Sequence, residues 1–124
     1  MEAKIRELWR RIAAQEAEKM RTFFAEEAVI YWHNTNEKFT LAEYIRANCE
    51  YPGDWQGHIE RVTVWEEKAV SVTRVWNSEG LSFHAVSFYD FTGGKIIRME
   101  EYWGDDGETP AWRREKKLGV PIRK

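Results

Sequence analysis

The sequence predicts an α+β domain, with helices first and an antiparallel strand meander after them. Apolar residues in the first third recur at helical spacing. From Trp55 onward the apolar period falls to two. The segments between the later runs are short enough for hairpins, which fixes neighbouring strands as antiparallel.

The first helix is marked by Ile5, Leu8, Trp9 and Ile12, the i, i+3, i+4, i+7 stripe of one buried face. The stripe lapses at Gln15–Glu16 and resumes at Met20, Phe23 and Phe24, as a second short helix or a kink. Residues 28–34 (AVIYWHN) are β-branched and aromatic and read as a strand. Thr40 and Glu43 form a capping box for a third helix, with Phe39 and Tyr44 placed as its hydrophobic staple. That helix buries Leu41, Ile45 and Cys49 and stops before Pro52–Gly53. Cys49 has no helix N-terminus beside it to stabilise a thiolate, so it reads as core. Four strands follow, at 56–66, 69–77, 81–91 and 95–103.

Composition narrows the function classes. The 124 residues are 43% hydrophobic and 32% charged, enough for a core and against intrinsic disorder. A net charge of −2 lacks the basic footprint of a nucleic-acid binder. The basic run Arg113, Arg114, Lys116, Lys117, Arg123 and Lys124 reads as a solvated tail. A single cysteine excludes an internal disulfide and suits a reducing compartment. The opening MEAKIRELWRR is charged and amphipathic, unlike a signal peptide, and no run of about 18 apolar residues could span a membrane. The expectation is a cytoplasmic domain with neither membrane nor nucleic-acid partner. Seven tryptophans in so short a chain ask for a core, a cavity or an interface to hold them.

Alternation assigns side chains to faces. In the last strand Ile97, Met99, Glu101 and Trp103 share one side, expected to face the helices. Two- and three-residue turns then bring His84, Val86 and Phe88 inward, with Val70, Val72, Arg74 and Trp76, and with His58, Glu60, Val62 and Val64. Arg74 falls opposite His84, and Glu60 opposite Arg74. This yields an expected polar row of Glu60, Arg74, His84 and Glu101, rimmed by His58, Trp76 and Trp103. Phe83, Tyr89, Phe91 and Tyr102 fall outside, as does Trp65. If Glu60 holds Arg74, Glu101 is left among apolar neighbours and burial raises its pKa. If Glu101 holds Arg74, its pKa falls instead.

Two helices, a strand ending Trp32-His33-Asn34, a capped third helix and a closing Gly94-Lys95-Ile96…Glu101-Tyr102-Trp103 resemble the nuclear transport factor 2-like superfamily. Within it the chain is similar to the SnoaL-like, polyketide cyclase-like branch. The stretch Glu101-Tyr102-Trp103-Gly104-Asp105-Asp106-Gly107, with Pro110, Trp112-Arg113 and Gly119-Val120-Pro121-Ile122, resembles a bacterial subgroup of it. The resemblance covers residues 1 to about 105, leaving 106–124 as a tail on a single domain. It implies a cone-shaped, curved antiparallel sheet wrapped around the N-terminal helices, an apolar pocket, and a homodimer.

The superfamily's enzymes suggest roles position by position. Trp32 and Asn34 stand where the epoxide hydrolases hold water, and Arg74 and Glu101 match their arginine and closing-strand acid. Trp76 breaks their relay. Asn34 also stands where the isomerases carry an acid. In the cyclases a closing-strand acid is the general base, a place Glu101 fills. The expected catalytic set is therefore Glu101 as acid/base, with His84, Arg74 and Asn34 polarising a carbonyl. Trp32, His58, Glu60, Trp76, Phe88, Met99 and Trp103 would contact a small apolar or aromatic molecule. No metal or other cofactor is expected, since metal-ligand spacings, Gly-rich phosphate loops and nucleophile elbows are all missing from the sequence. The rival expectation is a non-catalytic ligand-binding or dimerisation module of the same fold.

Overall fold

The computed structural model describes residues 1–123; Lys124 lies outside them. Its elements run α1 (Glu2–Ala13), α2 (Ala17–Arg21), β1 (Phe24–Trp32), a 3-10 turn (His33–Thr35), β2 (Glu37–Thr40), α3 (Leu41–Cys49), β3 (Gln56–Trp65), β4 (Lys68–Trp76), β5 (Ser82–Thr92), β6 (Lys95–Asp105) and α4 (Ala111–Glu115). The strands form one curved sheet in the order β2-β1-β6-β5-β4-β3. Among the described residues no helix is long and apolar enough to cross a membrane.

The helical stripe behaves as its spacing predicts: Ile5, Leu8, Trp9 and Ile12 are all buried, with α1 lying against β3 and β4. Met20 anchors α2 in the core, while Phe24 already opens β1. The capping box forms, with Thr40 Oγ1 accepting from the Glu43 N–H and Glu43 Oε1 from the Thr40 N–H. The two staple residues meet a common partner, as Phe39 and Tyr44 each pack edge-on against Trp32. Cys49 is half-buried, and its Sγ lies 3.6 Å from Met20 Sδ.

Several expectations are corrected. The sheet is mixed, because β1 pairs with β6 in parallel. The two are far apart in sequence, so no hairpin constrains their direction. β1 ends at Trp32, with His33-Asn34 in the 3-10 turn, and the edge strand β2 and the exposed helix α4 were not foreseen.

The largest correction concerns the faces. Gly93 and Gly94, both with positive φ, make the expected two-residue turn, pairing Thr92 with Lys95 and Phe91 with Ile96. A β-bulge follows at once: Asp90 pairs with Arg98, leaving Ile97 as the extra residue. One added residue inverts every later pairing. Tyr89 now faces Met99, Ser87 faces Glu101 and Ala85 faces Trp103. Ala85, Ser87, Tyr89 and Phe91 therefore point to the helices and are buried, and His84, Val86 and Phe88 point away. Arg74 does pair with His84, but the pair lies on the outer face, and Ala69, Ser71, Thr73 and Val75 fill the inner one.

A second bulge, at Glu60, lets Ile59, Val62 and Val64 share the inner face while His58, opposite Arg74, turns outward. The turn between β3 and β4 has two residues rather than three, so Glu60 does not oppose Arg74.

Candidate active site

At the open end of the sheet the inner face meets α1 and α3 around a cavity of about 340 Å³. Its walls are aromatic, with Trp9 from α1, Trp32 from the end of β1, Tyr51 and Trp55 from the loop after α3, Phe83 from β5 and Trp103 from β6. Small side chains at facing positions leave the space. Ala13, Gly57 and Ala85 line it, and a Cβ placed on Gly57 would lie 3.8 Å from Ala13 Cβ and from Thr73 Cγ2.

Glu101 is the buried carboxyl in the wall of this cavity, with Asp105 exposed at its rim. Glu101 is 5% exposed, and alternation along β6 puts it inward between Met99, which is fully buried below, and Trp103. It sits in a register row across four strands, Ser71–Ser87–Glu101–Trp32. Ser87 Oγ donates to Glu101 Oε2 at 2.6 Å, and the Trp32 indole N–H donates to Oε1 at 3.0 Å. Burial raises the carboxyl's pKa, and these two donors oppose the rise in part. No ion pair involving Glu101 occurs among the described residues. Beside this row the Tyr89 hydroxyl accepts from the Trp9 indole N–H at 2.8 Å and lies 2.5 Å from Ser71 Oγ.

The other residues of the expected catalytic set lie elsewhere. Arg74 stacks its guanidinium over the Trp76 ring, 4.5 Å from the centroid, on the outer face. His84 lies there too, with Nε2 at 3.0 Å from Glu60 Oε1 and Nδ1 bonded to Asp106. The expected row of Glu60, Arg74, His84 and Glu101 is thus split, with three members on the outer face and only Glu101 inside. Both alternatives for Arg74 fail, since neither glutamate holds it.

His58, Trp76 and Phe88 share the outer face and do not contact the cavity. Asn34 stands beyond the end of β1 and clamps the backbone of Trp103: its Nδ2 donates to the carbonyl at 2.5 Å and its Oδ1 accepts from the N–H at 2.9 Å. Of the expected contact residues, Trp32 and Trp103 line the cavity, and Met99 packs beneath it.

Trp9, Tyr51, Trp55, Phe83 and Ser87 were missed as site residues. For Phe83 and Ser87 the cause is the inverted register. Trp9 reads as core from its stripe, and Tyr51 and Trp55 stand in a loop without periodicity. One signal was available: Ile96 and Met99, and likewise Ile59 and Val62, are three residues apart and both inward. That spacing within a period-two strand marks a bulge.

Comparisons with known proteins agree with this architecture. The sequence matches the SnoaL-like domain over residues 5–99. No curated protein matches it. Among solved structures, a candidate ketosteroid isomerase from Kribbella flavida DSM 17836 is 26% identical, with a TM-score of 0.81 over 97% of this chain and 89% of that one. An NTF-2 like protein of unknown function from Burkholderia xenovorans LB400 is 20% identical, with a TM-score of 0.76 over 97% of this chain and 98% of that one. A candidate SnoaL-like polyketide cyclase from Jannaschia sp. CCS1 is 17% identical, with a TM-score of 0.71 over 82% and 83% of the respective chains. The family match runs from the first buried residue of α1 to the methionine beneath the cavity, and the solved neighbours share the helix-lined sheet. On that footing the chain belongs to the SnoaL-like domain family, with the nuclear transport factor 2-like fold.

Proposed function

We propose that this chain binds a small, apolar-bodied molecule in the cavity and that Glu101 exchanges a proton with it as a general acid/base. The reaction class is cofactor-independent proton transfer, as in isomerisation, cyclisation or dehydration. One observation carries the reading: a carboxyl 5% exposed in a cavity wall, with no cation beside it among the described residues and its pKa raised by burial. A carboxyl shifted toward neutrality can both take and return a proton near pH 7, which an ordinary one does poorly. The likeness to a candidate ketosteroid isomerase at 26% identity supports the class. So does the likeness to the epoxide hydrolase/cyclase-like enzyme SalBIII, which shares the fold at a TM-score of 0.66.

The role of Glu101 is supported without His84 and Arg74, which face away from the cavity. Asn34 acts on the site through Trp103 as a positioning residue. The test is a carbon-13 titration of the Glu101 carboxyl, assigned with Glu101→Gln. A midpoint above the ordinary carboxylate range is expected, together with base-catalysed deuterium exchange next to the carbonyl of small cyclic ketones that the variant loses. An ordinary or depressed midpoint refutes general-base work near neutrality.

A second reading, a binding module without catalysis, is favoured by a different observation: both oxygens of Glu101 already hold hydrogen bonds. In that reading the outer face mediates assembly, but with a composition other than the sequence implied. Tyr89 and Phe91 are core and Phe83 lines the cavity, so the exposed aromatic side chains of that face are Trp65, Phe88 and Tyr102. Sedimentation as a monomer at micromolar concentration refutes the homodimer.

A further inference from the structure

The chemistry of the cavity lining is one-sided. It includes Glu101 deep in the wall and Asp105 at the rim, and among the described residues no lysine, arginine or histidine. Both acids lie on β6, and alternation places them on the same face four residues apart, about 13 Å along the strand. The surface between them is aromatic. Trp32 and Trp103 meet nearly at right angles, 84° with centroids 5.3 Å apart, and form a corner of two indoles. On the other side Trp55 stacks on Tyr51 and meets Phe83 at 62°.

An indole has two electrostatic aspects. Its N–H edge is positive and suits a carbonyl or an anion, while its ring face is negative and suits a cation. Here three of the four N–H edges are already committed to the protein. Trp9 donates to the Tyr89 hydroxyl, Trp32 to Glu101 and Trp55 to the Pro52 carbonyl. An incoming oxyanion finds few donors and a repelling carboxylate. The indoles that cannot offer those edges still offer carbon surface and π-faces.

We infer that the cavity is built for an organic cation, a protonated amine or quaternary ammonium carried on an apolar body, held by the tryptophan faces with a Glu101 carboxylate as counter-charge. This deepens the reading of the cavity as a small-molecule site with Glu101 as its ionisable group, and rests on it. An aromatic box desolvates an ammonium at lower cost than an aliphatic one, because the ring quadrupoles replace part of its hydration, and a buried carboxylate supplies the remaining charge.

The test compares three probes of similar size on the intact chain: benzyltrimethylammonium, its uncharged isostere neopentylbenzene, and benzenesulfonate. Calorimetry and tryptophan fluorescence give the affinities, and the carbon-13 resonance of the Glu101 carboxyl reports occupancy of the cavity. The cation is expected to bind about tenfold or more tightly than the neutral isostere, and benzenesulfonate more weakly than either. That order should persist at 0.5 M salt, since a buried pair is little screened. Glu101→Gln should lower the affinity for the cation more than that for the isostere.

Equal or tighter binding of the isostere overturns the inference. So does a preference that vanishes in salt, which would report only the chain's overall negative charge. In either case a shift of the Glu101 resonance by the isostere leaves the small-molecule reading standing. If no probe moves that resonance, both readings fall.

Discussion

Replacing Tyr89 by phenylalanine removes one oxygen from the centre of a buried hydrogen-bond cluster and leaves the ring packing in place. The hydroxyl accepts from Trp9 Nε1 and bonds Ser71 Oγ, and Trp9, Ser71 and Tyr89 are 7%, 0% and 1% exposed. Water cannot reach the groups left behind, so each orphan costs about 1–3 kcal/mol rather than the smaller net value of an average hydrogen bond. Two orphans, one of which is a rotatable hydroxyl, set the expected loss at about 2–4 kcal/mol. For 124 residues that lowers the unfolding midpoint by about 8–15 °C.

The assay is thermal and urea unfolding of Tyr89→Phe, Ser71→Ala and the double variant, at one fixed protein concentration. The Ser71 hydroxyl is an orphan only while it is present. The double variant should therefore cost less than the sum of the singles, by about 1 kcal/mol or more. A Tyr89→Phe protein within about 0.5 kcal/mol of the parent, or strict additivity, refutes the cluster as a stabilising unit.

Glu101→Gln should alter the pH dependence of stability with a definite sign. Burial raises the folded-state pKa of Glu101 above its unfolded value, so its contribution is fully present below the ordinary carboxylate range and is lost as pH rises through the folded-state midpoint. The parent should therefore lose stability relative to Glu101→Gln as pH rises above the ordinary carboxylate range, and parallel stability curves for the two proteins would count against it. Taking the difference removes Glu100 and Asp106, whose pKa values are lowered and act in the opposite, acidic direction. Asn34→Ala removes both hydrogen bonds to the Trp103 backbone and should cost about 1–2 kcal/mol in urea unfolding. It should also weaken benzyltrimethylammonium binding. Unchanged affinity in the folded variant would mean that Asn34 does not position the wall.

The elements were legible because each rested on a local cause. The α1 stripe, the Thr40–Glu43 box and the Gly93–Gly94 turn involve residues within a few positions of one another. The faces were not, because alternation carries a single error along a strand and across every later pairing. The Gly93–Gly94 turn has the expected length, yet Ile97 bulges three residues after Gly94 and turns His84 out and Ser87 in. Val62 and Val64 fall on the expected face because the Ile97 bulge and the shorter β3–β4 turn each invert the alternation once and so cancel, and the Glu60 bulge beyond them turns His58 outward. Glu101, Trp103 and Trp32 kept their places for a plainer reason. The first two follow from alternation within β6 beyond the bulge, and Trp32 pairs with Glu101 directly.

The correction to the faces also changes what Glu101 is. In the expected row it had an arginine and a histidine within reach, and a structural ion pair would have explained it. With both on the other face, the carboxyl has only Ser87 and Trp32 as partners among the described residues. A glutamine could satisfy the same two groups, its carbonyl accepting from Trp32 and its amide donating to the Ser87 hydroxyl, without a buried ionisable group. What glutamine cannot do is carry a negative charge or give up a proton. A structural role therefore requires neither property that distinguishes the acid, whereas proton exchange and a cationic ligand each require one. The Glu101→Gln protein, more stable near neutrality and impaired toward a cation, would separate these roles in one molecule.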